Sequence, residues 1–520
     1  MKKSALLSLL CLCAALGFSQ TTYSDAAPAL YRNCTSCHRV GGGAPFSMLS
    51  YADAVPWAIT MKTAIEDNEM PPWAPDTSYM HFFNERPLTI ADRNTILAWI
   101  DDGALEGNPA ALPTPPVYPQ YLLNGTPDTI INMTPFNSNA GANDAYNTFV
   151  IPLTMNQSRY VRAIEIVPGN PDLIHHSIIK AGNAGDVLQN TTGNSFNILG
   201  DIALGTWAPG SLPIVFPKSS QLKMGIEIPA NGEIIMQIHT PSGTLGQAIT
   251  CQIRLYFYPI GELGIRPVYD FVPLQYWGTD FVIAPEEIKS FSTEANNFSY
   301  DISLFSAFPH SHQICTEILN YAYDPLSTDT IDLIKINNWD FEHQQYYTYK
   351  SLIKIPSDYK FHSDHTFDNT HHNHHNPFDP PQLITVGLGS NDEMLFDGFQ
   401  YITYQNGDEL INVDSILTND PLLNYDAVGI SQVSSSIDHN SYVYPNPVKD
   451  KSFIHFIAQH KNWNNYALKV WNIKGQLIDM PNKIKNGYFE INRGSLEANI
   501  YFYEISDRQK KISSGKIVIQ

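Results

Sequence analysis

Glu233-Ile234-Ile235-Met236-Gln237-Ile238-His239 is a short apolar run that closes on a histidine. Gln252-Ile253-Arg254-Leu255-Tyr256-Phe257-Tyr258 repeats the texture, and Gly, Pro and Asn break the chain between such runs. Strand-length stretches rich in β-branched and aromatic residues, punctuated by turn formers, predict β-sandwiches. The pattern extends from about Pro127 to Tyr425. Upstream, residues 21–110 read as helical: Ala52–Ile65 and Ile90–Gly103 carry apolar residues at helical spacing, the second with Thr89 as N-cap and Gly103 as stop. Asn108–Gln120, rich in Pro and Ala, reads as a linker. Downstream of a Ser-rich joint at Val433–His439, short strands at Ala467–Ile473, Asn499–Ile505 and Lys516–Ile519 predict a last small β-sandwich. The expected fold is mainly β, with a small all-α domain in front.

The 520-residue chain is 43% hydrophobic and 12% aromatic, a globular composition. Its net charge of −20 repels phosphate backbones and argues against a nucleic-acid partner. Lys2 and Lys3, the apolar run Ala5–Leu16 and the small residues before Gln20 predict a cleaved export signal over 1–20. That run is too short to cross the ~30 Å of a bilayer core, and no later stretch approaches ~20 uninterrupted apolar residues, so no transmembrane span is expected in the mature chain. Of six cysteines, Cys11 and Cys13 leave with the signal, and Cys251 and Cys315 either pair or stay free. So few cysteines in an exported chain leave stability to core packing.

Cys34-Thr35-Ser36-Cys37-His38 has the spacing of covalent c-type haem attachment: two thiols for the vinyl groups and an adjacent imidazole for the iron. A chance disulfide or zinc half-site is the alternative. Met70, in Met70-Pro71-Pro72-Trp73, is the expected sixth ligand, with Met48, Met61 and Met80 as rivals and Trp73 expected against the haem. Residues Tyr31–Ala110, including Gly42–Phe46, Pro71–Trp73 and Ala98–Gly103, resemble the cytochrome c domain fused in front of some bacterial copper monooxygenase-like proteins.

Five histidines in the β-rich region carry the second signal. His175 and His176 are adjacent, His239 ends its apolar run, and His310 and His312 lie two apart, on one face of a strand. Neutral imidazole suits copper, zinc, iron or nickel, so spacing alone does not name the metal. The order His-His, single His, His-x-His and a late Met in Asp392-Glu393-Met394 resembles the copper type II, ascorbate-dependent monooxygenases, among them peptidylglycine alpha-hydroxylating monooxygenase and dopamine beta-monooxygenase. Trp339-Asp340-Phe341, Asp368-Asn369 and Pro377, Pro380 and Pro381 sit where that family has similar segments. The resemblance implies two jelly-roll-like copper-binding sandwiches, residues 127–270 and 271–430, joined to the helical domain by a linker at 111–126. It implies one copper on His175, His176 and His239, which stores an electron, and a second on the catalytic set His310, His312 and Met394, which meets dioxygen.

The implied activity is oxygen-dependent hydroxylation of an aliphatic C–H bond in a small-molecule or peptide substrate. Electrons would come through the fused haem from an extracellular or periplasmic donor, with ascorbate as the rival reductant. A non-enzymatic haem–copper electron carrier or copper-binding protein is the alternative, and a glycan-binding jelly-roll module with unmetallated histidines is a third. The chain departs from the family in a His-rich stretch that includes His362, His365, His371, His372, His374 and His375, which either gathers metal or is a solvated insertion. It also lacks most of the family's disulfides.

Residues 436–520, opening on Tyr444-Pro445-Asn446-Pro447 and containing Asn472-Ile473-Lys474-Gly475-Gln476 and Gly515-Lys516-Ile517-Val518, resemble the C-terminal sorting domain of type IX secretion in Bacteroidetes. That implies contact with the type IX machinery and a secreted or cell-surface location. An ordinary partner-binding sandwich is the alternative. Nothing in the residues names the substrate or the oligomeric state.

Overall fold

The computed structural model describes residues 20–195, 202–423, 441–444, 448–449, 451–456, 463–472, 476–485, 488–494, 496–508 and 510–519. The expected signal at 1–20 therefore lies almost wholly outside the described residues. The Ser-rich joint at 433–439 and most of Tyr444–Pro447 also lie outside them. The chain is mainly β and divides into two compact units, residues 1–429 and 430–520.

The helical part packs Tyr23–Asn33 against Ile90–Asp101, with Tyr23, Leu30, Ile96 and Trp99 fully buried between them. Asp25 closes the first helix's start by accepting from the Thr22 N–H (2.9 Å) and hydroxyl (2.7 Å). Thr89 caps the second, accepting from the Asp92 N–H at 3.1 Å, and Gly103 at φ 96° follows its end, as the sequence predicts. The helix expected over Ala52–Ile65 is instead broken. Tyr51–Ala54 passes into a 3-10 turn, Val55–Trp57, before Ala58–Glu66. Pro56, which has no N–H and clashes with the preceding turn, accounts for the break.

Residues 73–86, expected within the helical domain, belong structurally to the second β body. Phe82 is fully buried there, and short bridges join Pro75 to Ile336 and Phe82 to Tyr349. Glu85 pairs with Lys350 at 2.7 Å. The apolar residues of this segment lack a helical period, so they bury by lying against an existing core.

Two β bodies follow. In the first, the sheet Ala145–Pro152, Gly232–Thr240, His176–Asn183, Ile202–Trp207 shares a core with a sheet built around Cys251–Phe257, Arg159–Pro168 and Met224–Ile228. In the second, the sheet Tyr269–Tyr276, Leu395–Thr403, Ile302–His310, Tyr347–Ile355 packs on Glu287–Asn296, Lys360–Asn369, Cys315–Tyr323, Thr330–Ile336. Alternation decides which side chains leave these cores. Along Gly232–Thr240, Ile234, Met236 and Ile238 enter the first core, which puts His239 on the opposite face. Along Ile302–His310, Ala307 enters the second core, whereas Phe305 and, on neighbouring strands, Leu352 and Ile402 join the first. The two cores therefore meet along this sheet, with Phe216 and Phe305 rings 5.6 Å apart. Cys251 and Cys315 are buried and unpaired, one in each core.

Among its described residues, the C-terminal unit has two four-stranded sheets around one core that includes Ile454, Val470, Phe489, Ile505 and Ile517. Among the described residues, no helix is long and apolar enough to cross a membrane.

Candidate metal centres

Cross-strand register brings the first three histidines together. His176 pairs directly with His239, and the His175 N–H donates to the His239 carbonyl at 2.9 Å. The Nδ1 atoms converge: His175 to His176 is 3.3 Å and His239 to His176 is 3.2 Å. Four nitrogens held tetrahedrally about 2.0 Å from one ion lie about 3.3 Å apart, so the spacing fits shared ligation. The outer nitrogens are committed elsewhere. His239 Nε2 meets Asp144 at 2.8 Å and His175 Nε2 meets Glu342 at 2.5 Å. A carboxylate accepts, so it assigns the ring proton of His239 and His175 to Nε2 and leaves a lone pair on the Nδ1 of each, both facing His176 Nδ1.

Electrostatics agree with that assignment. Burial, reinforced by the neighbouring imidazoles, holds His176 well below the ordinary histidine range, and burial also lowers His239 against the pull of Asp144. Asp144 is held low by its bond to His239 and anchored by the Ser242 N–H at 2.9 Å. Tyr146 stacks on His239 with centroids 4.2 Å apart. Neither Asp144 nor Glu342 carries a sequence signal, because each lies far along the chain from the histidine it orients. Asp144→Ala is expected to weaken metal binding at this trio by about 10–100-fold while leaving the fold intact, as titration with Cu(II) against a competing chelator would read.

The second pair is arranged the other way round. His310 Nδ1 meets Gln344 Oε1 at 2.5 Å, and His312 Nδ1 meets the Asp392 carbonyl at 2.9 Å. Both acceptors assign the proton to Nδ1 and leave a lone pair on each Nε2. The rings lie 5.4 Å apart. Burial lowers His310 to about 3 and His312 to about 4, so both are neutral at pH 7. His310 pairs across the sheet with Phe396. The ladder ends at that pair, so His312 and Met394 lie just beyond the two strands, on the segments that leave them. Met394 is buried (6% exposed), and its carbonyl accepts from Ser311 Oγ at 2.7 Å.

Glu393 fastens this corner. Its fully buried carboxylate accepts from the N–H of His312 (2.9 Å), Ile314 (2.7 Å) and Met394 (3.2 Å) and from Ser311 Oγ (3.2 Å). The segment 339–344 joins the two histidine sets. Trp339 Nε1 donates to the His312 carbonyl at 3.0 Å, Glu342 holds His175, and Gln344 holds His310. Phe341 lies against both, 5.5 Å from His175 and 5.8 Å from His312 between ring centroids.

In the Cys34–His38 segment both thiols are unpaired, and burial pushes Cys34 up to about 12. His38 is 8% exposed, and its Nδ1 has no hydrogen-bond partner. Its ring lies 4.5 Å from Phe46, which stacks on Trp57 at 4.2 Å. A buried imidazole next to two unpaired thiols is a donor set that fits covalent haem. Met48 and Met61 are buried in the helical core and Met80 packs on the second β core, whereas Met70 remains 37% exposed. Trp73, expected against the haem, instead packs edge-on to Tyr347, 5.7 Å away, in the second β body.

The His-rich stretch separates into two parts. His362 and His365 lie on the Lys360–Asn369 strand. His365 is fully buried against Asp397 at 2.9 Å, and His362 stacks on Tyr321 at 4.7 Å and meets Asp364 at 3.0 Å. These two are structural. His371, His372, His374 and His375 occupy the turn that follows, where His374 Nε2 meets Glu69 at 2.9 Å. Among the described residues, two groups offer ligand atoms within 4.8 Å of one another: His175, His176 and His239, and Glu69, His374 and His375.

Residues 442–520 match the secretion system C-terminal sorting domain. The chain therefore carries a type IX sorting tail and is exported, to the cell surface or beyond it. No curated protein matches the chain. Among solved structures, a recombinant peptide:N-glycanase F is 8% identical, with a TM-score of 0.26 over 53% of this chain and 96% of its own. PNGase F, a glycosylasparaginase from Flavobacterium meningosepticum, is 10% identical, with a TM-score of 0.23 over the same shares, 53% and 96%. The infectious bursal disease virus VP2 subviral particle is 10% identical, with a TM-score of 0.16 over 56% and 75%. TM-scores this low carry no statement about fold or function.

Proposed function

We propose that this exported chain is a copper-dependent monooxygenase that hydroxylates an aliphatic C–H bond, with electrons supplied through a fused c-type haem. The observation that carries the reading is the pair of imidazole sets on either side of Phe341, one converging through Nδ1 and the other presenting Nε2. His175, His176 and His239 would hold one copper, and His310, His312 and Met394 the other, in two jelly-roll-like bodies. Cys34, Cys37, His38 and Met70 would hold the haem. Copper supplies one-electron redox chemistry and, beside a soft thioether that favours Cu(I), a place for dioxygen.

The protein's own groups supply orientation and dryness. Asp144 and Glu342 keep the His239 and His175 rings turned with Nδ1 inward, and Gln344 and the Asp392 carbonyl turn the second pair with Nε2 outward. Burial keeps every ring whose titration is displaced in its ligating, uncharged form at neutral pH. The overall reaction takes one dioxygen, two electrons and two protons, placing one oxygen atom in the substrate and one in water.

The test is a copper count on the purified haem-loaded chain. His310→Ala and Met394→Ala should each lower it by the same one equivalent, and His175→Ala by a different one. Reductant-driven dioxygen uptake should yield a hydroxylated product in the parent and fall at least a hundredfold in Met394→Ala. Counts unchanged by all three substitutions would overturn the reading.

A further inference from the structure

The turn after the Lys360–Asn369 strand has an ordered frame. Asn373 Nδ2 donates to the Asp368 carbonyl at 2.8 Å, Asn376 Nδ2 to Asn369 Oδ1 at 2.9 Å, and the His375 N–H to Asn373 Oδ1 at 3.0 Å. This frame sets the His374 and His375 rings 4.1 Å apart and leaves both exposed. Facing them is Glu69, in the turn that follows the Ala58–Glu66 helix, immediately before Met70. Its carboxylate oxygen and one nitrogen of each imidazole lie within 4.8 Å of one another.

Two imidazoles and a carboxylate form a borderline donor set, the kind that takes late first-row divalent cations, with copper(II) bound tightest. Exposure leaves room for water to complete the coordination. The donors come from segments 305 residues apart, so a bound ion would join the helical part to the second β body. We infer that Glu69, His374 and His375 form a third metal site, for a divalent late first-row cation, which clamps the helical segment bearing Met70 onto the β body. The site shares no residue with the two histidine sets described above and stands or falls independently of them.

A histidine-rich turn alone also attracts metal, so Glu69 is the deciding residue. The experiment counts Cu(II) equivalents on the full haem-loaded chain and on Glu69→Ala and the double variant His374→Ala/His375→Ala, using a competing chelator. It also follows hydrogen exchange over residues 66–72 with and without Cu(II). The parent should bind one equivalent more than the double variant. Glu69→Ala should weaken that equivalent by at least about tenfold, the lower bound seen for losing even an outer-shell partner. Cu(II) should slow exchange over 66–72 in the parent only. Copper lost in the double variant but held as tightly in Glu69→Ala would mean a simple histidine tract and overturn the proposal. Equal copper in all three proteins would overturn it as well. Glu69 is surface-lying, so a folding failure would not mimic either result.

Discussion

Glu393→Ala is expected to strip metal from the His310/His312 set while sparing His175, His176 and His239, and to destabilise the second β body by about 3–5 kcal/mol. The magnitude follows from the donors left behind. The N–H groups of His312 and Ile314 reach the Glu393 carboxylate at 2.9 and 2.7 Å inside a fully buried corner. Each buried donor that loses its acceptor costs about 1–3 kcal/mol, and the alanine cavity adds to that. Ser311 keeps its bond to the Met394 carbonyl, so it does not add to the loss. Glutamine is not a neutral replacement. Ile314 bonds one carboxylate oxygen, while His312, Met394 and Ser311 bond the other, so the amide NH2 must face a donor whichever way it points. Glu393→Gln should therefore cost roughly half as much as alanine. Hydrogen exchange along Ile302–His310 and Leu395–Thr403 reads the local stability, and a metal count reads the site. Exchange rates and metal content equal to the parent's would show that Glu393 does not fasten the corner.

How much of this could be read from residue order follows from the physics of each element. Strand texture and the spacing of His310 and His312 are local, but the strand ends at His310, and His312 lies just past it with its ring 5.4 Å away. The adjacency of His175 and His176 is likewise visible in the chain. Their meeting with His239 depends on the His176–His239 register, which the sequence suggests only through resemblance. The carboxylates Asp144 and Glu342 come from other parts of the chain, and no spacing rule reaches them. Residues 73–86 misled for the opposite reason. Proximity in sequence assigned them to the helical domain, whereas Phe82 and Trp73 bury in the second β body. The His-rich stretch looked uniform because composition does not distinguish a strand from a turn. Alternation on the Lys360–Asn369 strand buries His365, while the turn beyond it presents His374 and His375 to Glu69.

Production of the chain with haem-attachment machinery should give a protein whose haem survives denaturation and acid–acetone extraction, and Cys34→Ala/Cys37→Ala should carry none. The expectation rests on the spacing of these residues. Thiols three residues apart in an exported chain either pair or are consumed by another bond, and the adjacent His38 gives the pair the spacing of haem attachment. Met70→Ala should leave the covalent haem in place, lower its midpoint potential and open the iron to added carbon monoxide, because Met48, Met61 and Met80 are already packed into cores. Met61→Ala is the matching control: it should destabilise the helical core by about 2–5 kcal/mol without moving the potential. If Met61→Ala moves the potential and Met70→Ala does not, the sixth ligand is Met61 and the turn after the Ala58–Glu66 helix has another role. If neither double-cysteine nor parent protein holds haem through denaturation, Cys34 and Cys37 do not attach it. The helical part would then pass no electrons to the histidine sets beyond it.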